Sequence, residues 1–513
     1  MKKHIWNIFS ALFLVCLIAT EAVAAFKVWE LNVLPARYLY MAMIAMVTIA
    51  VLLGVMMFPK VGKREKNKKI LRRIIAYILA VAISAACVIG ASALHKVKET
   101  MDHVTENTVI SDVIGVYVLA DSNVDDIADT EYLHFAVTEA FDWENTQLVV
   151  NTIYKETGIS VNCVRYNTVF DMIDALCSGN VDLMILNEAF VTILEDFDAY
   201  WDFEDRTKII YEYSVTETIT EELSPVVQET IDATSTEPAP TEPVVEDLEP
   251  FVLYLSGSDT RSTVLTTSRS DVNILAVVNP ETKQILLVNT PRDYYVANPA
   301  GGGSLDKLTH CGIYGIDCSM KALGNLYGIN VDYYAQVNFT GFETLVDALG
   351  GVTVYSDTSF TTYHGGYYIQ AGKNNLNGHQ AVCFARERYA LAGGDNTRGE
   401  NQMKLLTAII GKMTAGNLLS NYSEILDSMK GTFATNMPQD MITGFVKQQL
   451  DDMAQWSVLS YAVTGTGASR TTYSSPNFYA YVTLPNQDTV DHASALIGCV
   501  LAGEVLTTAD LSR

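Results

Sequence analysis

The chain is short of positive charge: 34 Lys and Arg stand against 59 Asp and Glu, for a formal net charge of −25. A nucleic-acid binder draws its affinity from neutralising phosphates over a basic surface, so this balance excludes that class. Cysteine is scarce too, with eight in 513 residues, too few for a disulfide scaffold of this size. No CxxC pair or Cys/His cluster has zinc-site spacing. Cys163 with Cys177, and Cys311 with Cys318, lie near enough in sequence to pair in an oxidising exterior, although spacing does not fix connectivity. Between residues 214 and 250 Lys and Arg vanish, leaving ten Asp or Glu and five Pro. Such a stretch cannot bury enough apolar surface to offset its ordering entropy and reads as an acidic linker.

What the sequence has in plenty is apolar length. Residues 5–25, 38–58 and 74–94 form three apolar runs, each about 20 residues, the length that crosses a hydrocarbon core. The loop 59–73 carries Lys60, Lys63, Arg64, Lys66, Lys68, Lys69, Arg72 and Arg73, and the positive-inside rule places it and the Met1-Lys2-Lys3 start in the cytoplasm. Everything after about residue 95 then lies outside the cell. A cleaved leader ending near Ala22, Val23 and Ala24 would leave that side unchanged.

Four segments follow: a three-span anchor over 1–95, a small α/β accessory domain over 96–213, the linker 214–250, and an α/β domain over 251–513. In the accessory domain VIGVYVLA, SVNCVRY and VDLMILN read as strands and TVFDMIDALCSG as a helix stopped by Gly179; the succession resembles part of a type II solute-binding lobe. In the last domain FVLYL, VNILAVV, QILLVN, DYYAQVNF and VTVYS alternate with helical patterns, and PETK reads as a hairpin turn, so the central sheet is expected to be mixed.

Charged residues of the last domain gather at strand ends, where α/β folds bind ligands. Asp259 follows FVLYL, Arg269 and Asp271 precede VNILAVV, Arg292 and Asp293 follow QILLVN, and Lys307 follows AGGGS. Arginine's planar fork grips two phosphate oxygens at once, and two carboxylates among cations, Asp259 and Asp271, suit Mg²⁺ bridging to phosphate. CFARERYALAGGDNTRGENQ supplies a second set: Arg386 and Arg388 near a helix end, then Asp395 and Arg398, with Gln402 one turn on. Read alone, that stretch is equally a surface face pairing its arginines with Glu387 or Glu400.

The blocks GSDTR, RSDVNILAVVNPETKQILLVNTPRD, LDKLTHCGIYG, GINVDYYAQVNFTGFETLVDALGGVTV, LNGHQAVCFARER and DNTRGENQ occur in the order and spacing of the LytR-CpsA-Psr (LCP) family, which the chain resembles closely over 251–415 and loosely to about 508. The resemblance implies an LCP-type α/β/α domain on a multi-pass cell-membrane protein of a Gram-positive-type bacterium, its large part extracellular. It implies a phosphotransferase that moves an anionic glycopolymer, of teichoic acid or capsular polysaccharide type, from a polyprenyl pyrophosphate carrier onto peptidoglycan with Mg²⁺ (or Mn²⁺). By position Asp259 and Asp271 resemble the metal carboxylates; Arg269, Arg292, Lys307, Arg386, Arg388 and Arg398 the pyrophosphate-binding cations; Gln402 a polar partner; and Asp395 a residue assisting the metal or proton transfer. The general base stays open among Asp271, Asp259 and Asp395. A non-catalytic receptor for lipid-linked glycan or solute is the alternative from another class, and a membrane-bound transcription attenuator a weaker one, because the cytoplasmic parts have no room for a DNA-binding fold.

Overall fold

The computed structural model describes residues 2–58, 66–106, 109–218, 248–258, 260, 264–414, 425 and 429–512. Of the sequence expectations, most of the acidic linker, residues 59–65 of the basic loop and Asp259 lie outside them.

Three helices open the chain, α1 (Lys2–Leu31), α2 (Ala36–Met57) and α3 (Lys66–Glu106), and within them Trp6–Leu31, Ala36–Met57 and Asn67–Asp102 are long and apolar enough to cross a membrane. At 41 residues α3 is about 60 Å long, twice the thickness of a hydrocarbon core, so part of it projects beyond the bilayer. Leu31, Val33, Val97 and Met101 pack with Val446 and Leu450 of the helix Gln439–Asp452. Arg37 Nε lies 3.2 Å from an Asp451 carboxylate oxygen, and Lys447 Nζ donates to Asn32 Oδ1 at 3.1 Å. The α1–α2 turn and the far end of α3 therefore sit on the same side of the membrane as the large domain.

The accessory lobe is a five-stranded sheet of order β3-β2-β4-β1-β5, built from β1 (Val109–Leu119), β2 (His134–Thr138), β3 (Asn162–Tyr166), β4 (Leu183–Asn187) and β5 (Thr207–Thr218), with α4 (Trp143–Thr157), α5 (Val169–Cys177), α6 (Glu188–Leu194) and the short α7 (Phe203–Arg206). The strands at VIGVYVLA, SVNCVRY and VDLMILN and the helix stopped at Gly179, which has φ +72, are all present. Strand β5 runs past the expected boundary at 213 and into the linker's first residues. There TKIIYEYSVTET alternates and pairs antiparallel with β1 along its length, so pairing overrides the acidic composition.

The large domain opens with β6 (Phe251–Ser258), β7 (Ser270–Asn279), β8 (Gln284–Asn289), β9 (Tyr295–Ala297) and β10 (Leu305–Lys307), then α8 (Leu308–Cys311), α9 (Ile316–Tyr327), β11 (Tyr333–Asn338) and α10 (Phe339–Ala348). It continues through β12 (Val352–Ser356), β13 (Phe360–Thr361), β14 (Tyr368–Ile369), β15 (Gly372–Leu376), α11 (Gly378–Arg386), α12 (Asp395–Lys412), β16 (Phe433–Thr435), β17 (Ser457–Ala462), β18 (Gly465–Arg470) and β19 (Ala480–Pro485). The central sheet has the order β16-β11-β6-β7-β8-β17. It is mixed: β6 and β11, and β8 and β17, are parallel, while β7 is antiparallel to both neighbours through the PETK turn. Alternate residues face opposite layers. Val252, Tyr254, Leu275, Val277 and Leu286 pack on α9 and the helix Gln487–Leu501, whereas Phe251, Ile274, Ala276 and Leu287 face Met403 of α12 and Met441 and Phe445 of the helix Gln439–Asp452. Both faces are covered, which is why these strands read as near-continuous apolar runs. All eight cysteines are thiols, so neither expected pair is bonded.

The two lobes share a core. Ile313 and Ala480 of the large domain are buried in the accessory lobe's aromatic cluster. Half-buried Phe478 stands 4.8 Å from Phe170, 5.6 Å from Phe197 and 5.5 Å from Tyr200, centroid to centroid. Phe→Ala changes in cores cost about 3–5 kcal/mol, and partial exposure puts this one near the low end. Phe478→Ala should therefore lower the melting temperature of the accessory lobe in calorimetry of the full chain, and an unchanged thermogram would show that the lobe is held by other contacts.

Candidate functional site

Strand direction creates the site. The carboxyl ends of β6, β8, β11 and β17 and the amino end of β7 lie on one rim of the sheet, as the pairings Ser258–Ser270, Ser258–Asn338, Ile274–Asn289 and Asn289–Ala462 require. The segments carrying Arg269 and Asp271, Arg292 and Asp293, and the start of α10 therefore meet. Between Gly257 and Ser258 the register slips, leaving Asp271 as an extra residue in β7. A bulge of this kind re-aims one side chain out of the ladder, and here that side chain is the carboxylate. Gly257 leaves room for it, since a Cβ there would fall 2.6 Å from Val272 Cγ2. Below the bulge, Tyr254 bonds to Ser270 Oγ at 2.9 Å and donates to Asn273 Oδ1 at 2.7 Å, holding the strand's start in a buried hydroxyl network.

Arg292 Nη1 donates to Asp271 Oδ1 at 2.6 Å, with both side chains largely buried. Burial alone would raise the Asp271 pKa, but Arg292, Arg398 and Arg269 outweigh it and hold the carboxyl well below its usual range. The same attraction, to Asp271 above all, pushes the Arg292 guanidinium up. Arg398 is buried and pairs with Asp395 at 2.5 Å. It reaches the rim because α12 starts against β8: a Cβ on Gly399 would lie 2.3 Å from Asn289 Nδ2.

Lys307, also buried, lies 3.3 Å from Asp293. One turn on, His310 is fully buried and bonds through Nδ1 to Asp306 at 2.7 Å. Asp306 in turn accepts from Ser474 Oγ at 2.6 Å. Burial works against the charged forms of both, yet their mutual attraction and hydrogen bonding lower the Asp306 pKa and raise that of His310.

The second set divides. Helix α11 ends at Arg386, and Glu387 is extended, so Arg386 and Arg388 part company. Arg386 lies over the Phe339 ring at 4.4 Å, at the start of α10 on the rim. Arg388 donates to Tyr389 Oη at 2.7 Å and stacks on that exposed ring. Gln402 is buried and donates to the Ala385 carbonyl at 3.3 Å, fastening α12 to α11. Buried Glu387 accepts the Tyr363 and Ala390 backbone N–H groups and so braces the loops, while Asp395 is the carboxylate that orients an arginine. The structure thus brings together Arg269, Asp271, Arg292, Lys307, Asp395 and Arg398. Sequence reasoning placed Asp293 on the rim without giving it a role, and it missed Asp306 and His310, which were legible as an i, i+4 pair in LDKLTHC. It also missed Glu195 and Asp196, which come from the other lobe.

Among the described residues no three His, Cys, Asp or Glu side chains stand close enough together to hold a metal ion. Mg²⁺ keeps much of its water and needs only one or two carboxylates beside its phosphate ligands. Asp271, kept ionised by three arginines, fits that requirement.

Comparison with known proteins finds relatives of part of this chain. The chain is 37% identical over 194 residues to the polyisoprenyl-teichoic acid–peptidoglycan teichoic acid transferase TagU of Enterococcus faecalis (strain ATCC 700802 / V583), covering 37% of this chain and 63% of that protein. It is 32% identical over 208 residues to the TagU of Bacillus anthracis (strain CDC 684 / NRRL 3495), covering 40% and 67%. The chain thus spans a little under two thirds of the enterococcal relative's length. Among solved structures, TagT bound to LI-WTA aligns at 28% identity with a TM-score of 0.41, covering 50% of this chain and 91% of that one. The sequence model of the LytR_cpsA_psr family matches residues 209–491, more than half the chain, and the chain belongs to that family.

Proposed function

We propose that the protein is a membrane-anchored transferase that moves a teichoic-acid-type glycopolymer from a polyprenyl pyrophosphate carrier to peptidoglycan. The observation that carries this reading is the rim itself, where Arg269, Arg292 and Arg398 act on one ionised carboxylate, Asp271, and Lys307 stands beside Asp293. The names of the enterococcal and bacillar relatives support it. In the reaction an acceptor sugar hydroxyl oxygen bonds to the glycan-side phosphorus, the bridging P–O bond to the carrier breaks, and polyprenyl phosphate leaves with the bond's electrons. Phosphoryl transfer asks little covalent chemistry of a protein, mostly alignment and neutralisation of charge on the phosphate oxygens. Arg292 and Arg398 supply fixed bidentate donors beside the reacting group, and Lys307 adds a point charge.

Asp271, with Asp259, the residue that follows β6 in sequence, would hold the Mg²⁺. When bound, that ion would offset charge on the phosphate oxygens. A carboxylate held this far below its usual range is a weak base, so Asp271 is poorly suited to take the acceptor's proton. Asp395 is better placed for that role, because its side chain is 30% exposed and open to an acceptor hydroxyl.

Removing one preorganised charge stabiliser typically costs about 10²–10³ in rate. Arg292→Ala and Asp271→Asn should each lower release of polyprenyl phosphate from lipid-linked glycan by about that factor in the detergent-purified full chain with Mg²⁺, and wild-type rates in both variants would refute the assignment.

The proposed outside orientation of the large domain is supported by the basic 59–73 loop, together with the contact that puts the α1–α2 turn on the same side as that domain. Exposed Cys163 should accordingly react with a membrane-impermeant maleimide on intact cells, with the signal from the lobe lost in Cys163→Ser. Labelling of that site only after the cells are broken would place the domain inside.

A further inference from the structure

The cations of the rim are not all answered by their own domain. The turn after α6 carries Glu195 and Asp196 across the interface between lobes. Arg269 Nη2 donates to Glu195 at 2.7 Å, and its Nη1 lies 3.5 Å from Asp196. Lys307 Nζ donates to Asp196 at 2.5 Å, and His310 Nε2 stands 3.8 Å from the same carboxylate. Arg269 is 4% exposed, Lys307 3% and His310 0%, and the Asp196 side chain is 18% exposed, so the Asp196 contacts are largely shielded from water and weakly screened, whereas the Glu195 contact opens to solvent. The apolar docking through Phe478, Ile313 and Ala480 keeps the turn in place. Donors nevertheless remain: Arg269 Nε, Arg292 Nε and His310 Nε2 are buried and have no hydrogen-bond partner among the described residues.

A pyrophosphate entering this site meets cations already answered by two carboxylates of another lobe. It must displace Asp196 from Lys307 and Arg269 or share them with it, and in either case the nearby negative charge weakens its hold. Binding energy from remote parts of a ligand can make up such a deficit at the reacting centre. A polyprenyl chain and a glycan offer remote contacts, and a small free anion offers none.

We propose that Glu195 and Asp196 are specificity-determining residues, a built-in counter-anion that rejects small phosphates such as inorganic pyrophosphate and admits a pyrophosphate carried on lipid and glycan. The proposal rests on the reading of the rim as a pyrophosphate site, and it gives the accessory lobe a part in substrate selection.

The test is calorimetric titration of the detergent-purified full chain with inorganic pyrophosphate and, separately, with a polyprenyl pyrophosphate. Asp196→Asn should bind inorganic pyrophosphate at least about 10-fold more tightly than wild type, since one contacting negative charge is gone. Glu195→Gln should tighten it less, by about 3-fold, and affinity for the lipid form should change less than that for the free anion in both variants. Glu195 is 66% exposed, so its variant reports even where Asp196→Asn fails to fold. Unchanged or weaker pyrophosphate binding in the folded variants, with the lipid form still bound, would overturn the proposal while leaving the site assignment standing. Failure of both ligands to bind wild type and variants alike would overturn both.

Discussion

A guanidinium buried at a sheet edge must be answered by a carboxylate, and the 2.6 Å contact between Arg292 and Asp271 is the pair around which this site is arranged. Breaking a buried pair by removing one partner typically costs about 3–5 kcal/mol, because the survivor is left charged and dry. The β7 bulge that presents Asp271, the hydroxyl network under it, and the close approach of Gly399 to Asn289 all serve to hold that contact. Once it is fixed, Arg398 and Arg269 come close enough to keep Asp271 ionised, and the rim becomes a place where negative charge is already balanced residue by residue.

The same balance explains how so acidic a chain could hold the proposed anion site. Its cations are concentrated in a few buried positions, each opposed by a named carboxylate: Asp271 for Arg292, Asp395 for Arg398, Asp293 and Asp196 for Lys307. On the proposed reading an anionic ligand would gain by exchanging or sharing these partners and not by meeting a broad basic surface. The anchor is tied to the large domain, because the helix Gln439–Asp452 rests on the ends of α1 and α3.

Much of this was legible in the sequence. The three apolar runs, the PETK hairpin and the mixed sheet followed from periodicity and turn chemistry, and the charged ends of strands pointed to the rim that formed. Strand β5 escaped because its acidic residues matched a linker's composition, while its alternation was informative only with β1 as partner. Arg388 entered the candidate set by resemblance to the family's motif; in the structure the helix ends between it and Arg386, and its guanidinium lies on Tyr389. Glu195 and Asp196 carried no signal at all, since their role depends on lobe docking through Phe478, a contact nearly 300 residues away in sequence.

The most direct test of the central claim is a crystal structure of the full chain with a polyprenyl pyrophosphate. The account predicts both phosphorus atoms on the β6–β7–β8 rim, with Arg292 and Arg398 each within about 4 Å of a phosphate group, the reach of a charge-assisted fork. A pyrophosphate bound elsewhere, with the Arg292–Asp271 contact untouched and no phosphate beside Arg398, would contradict it.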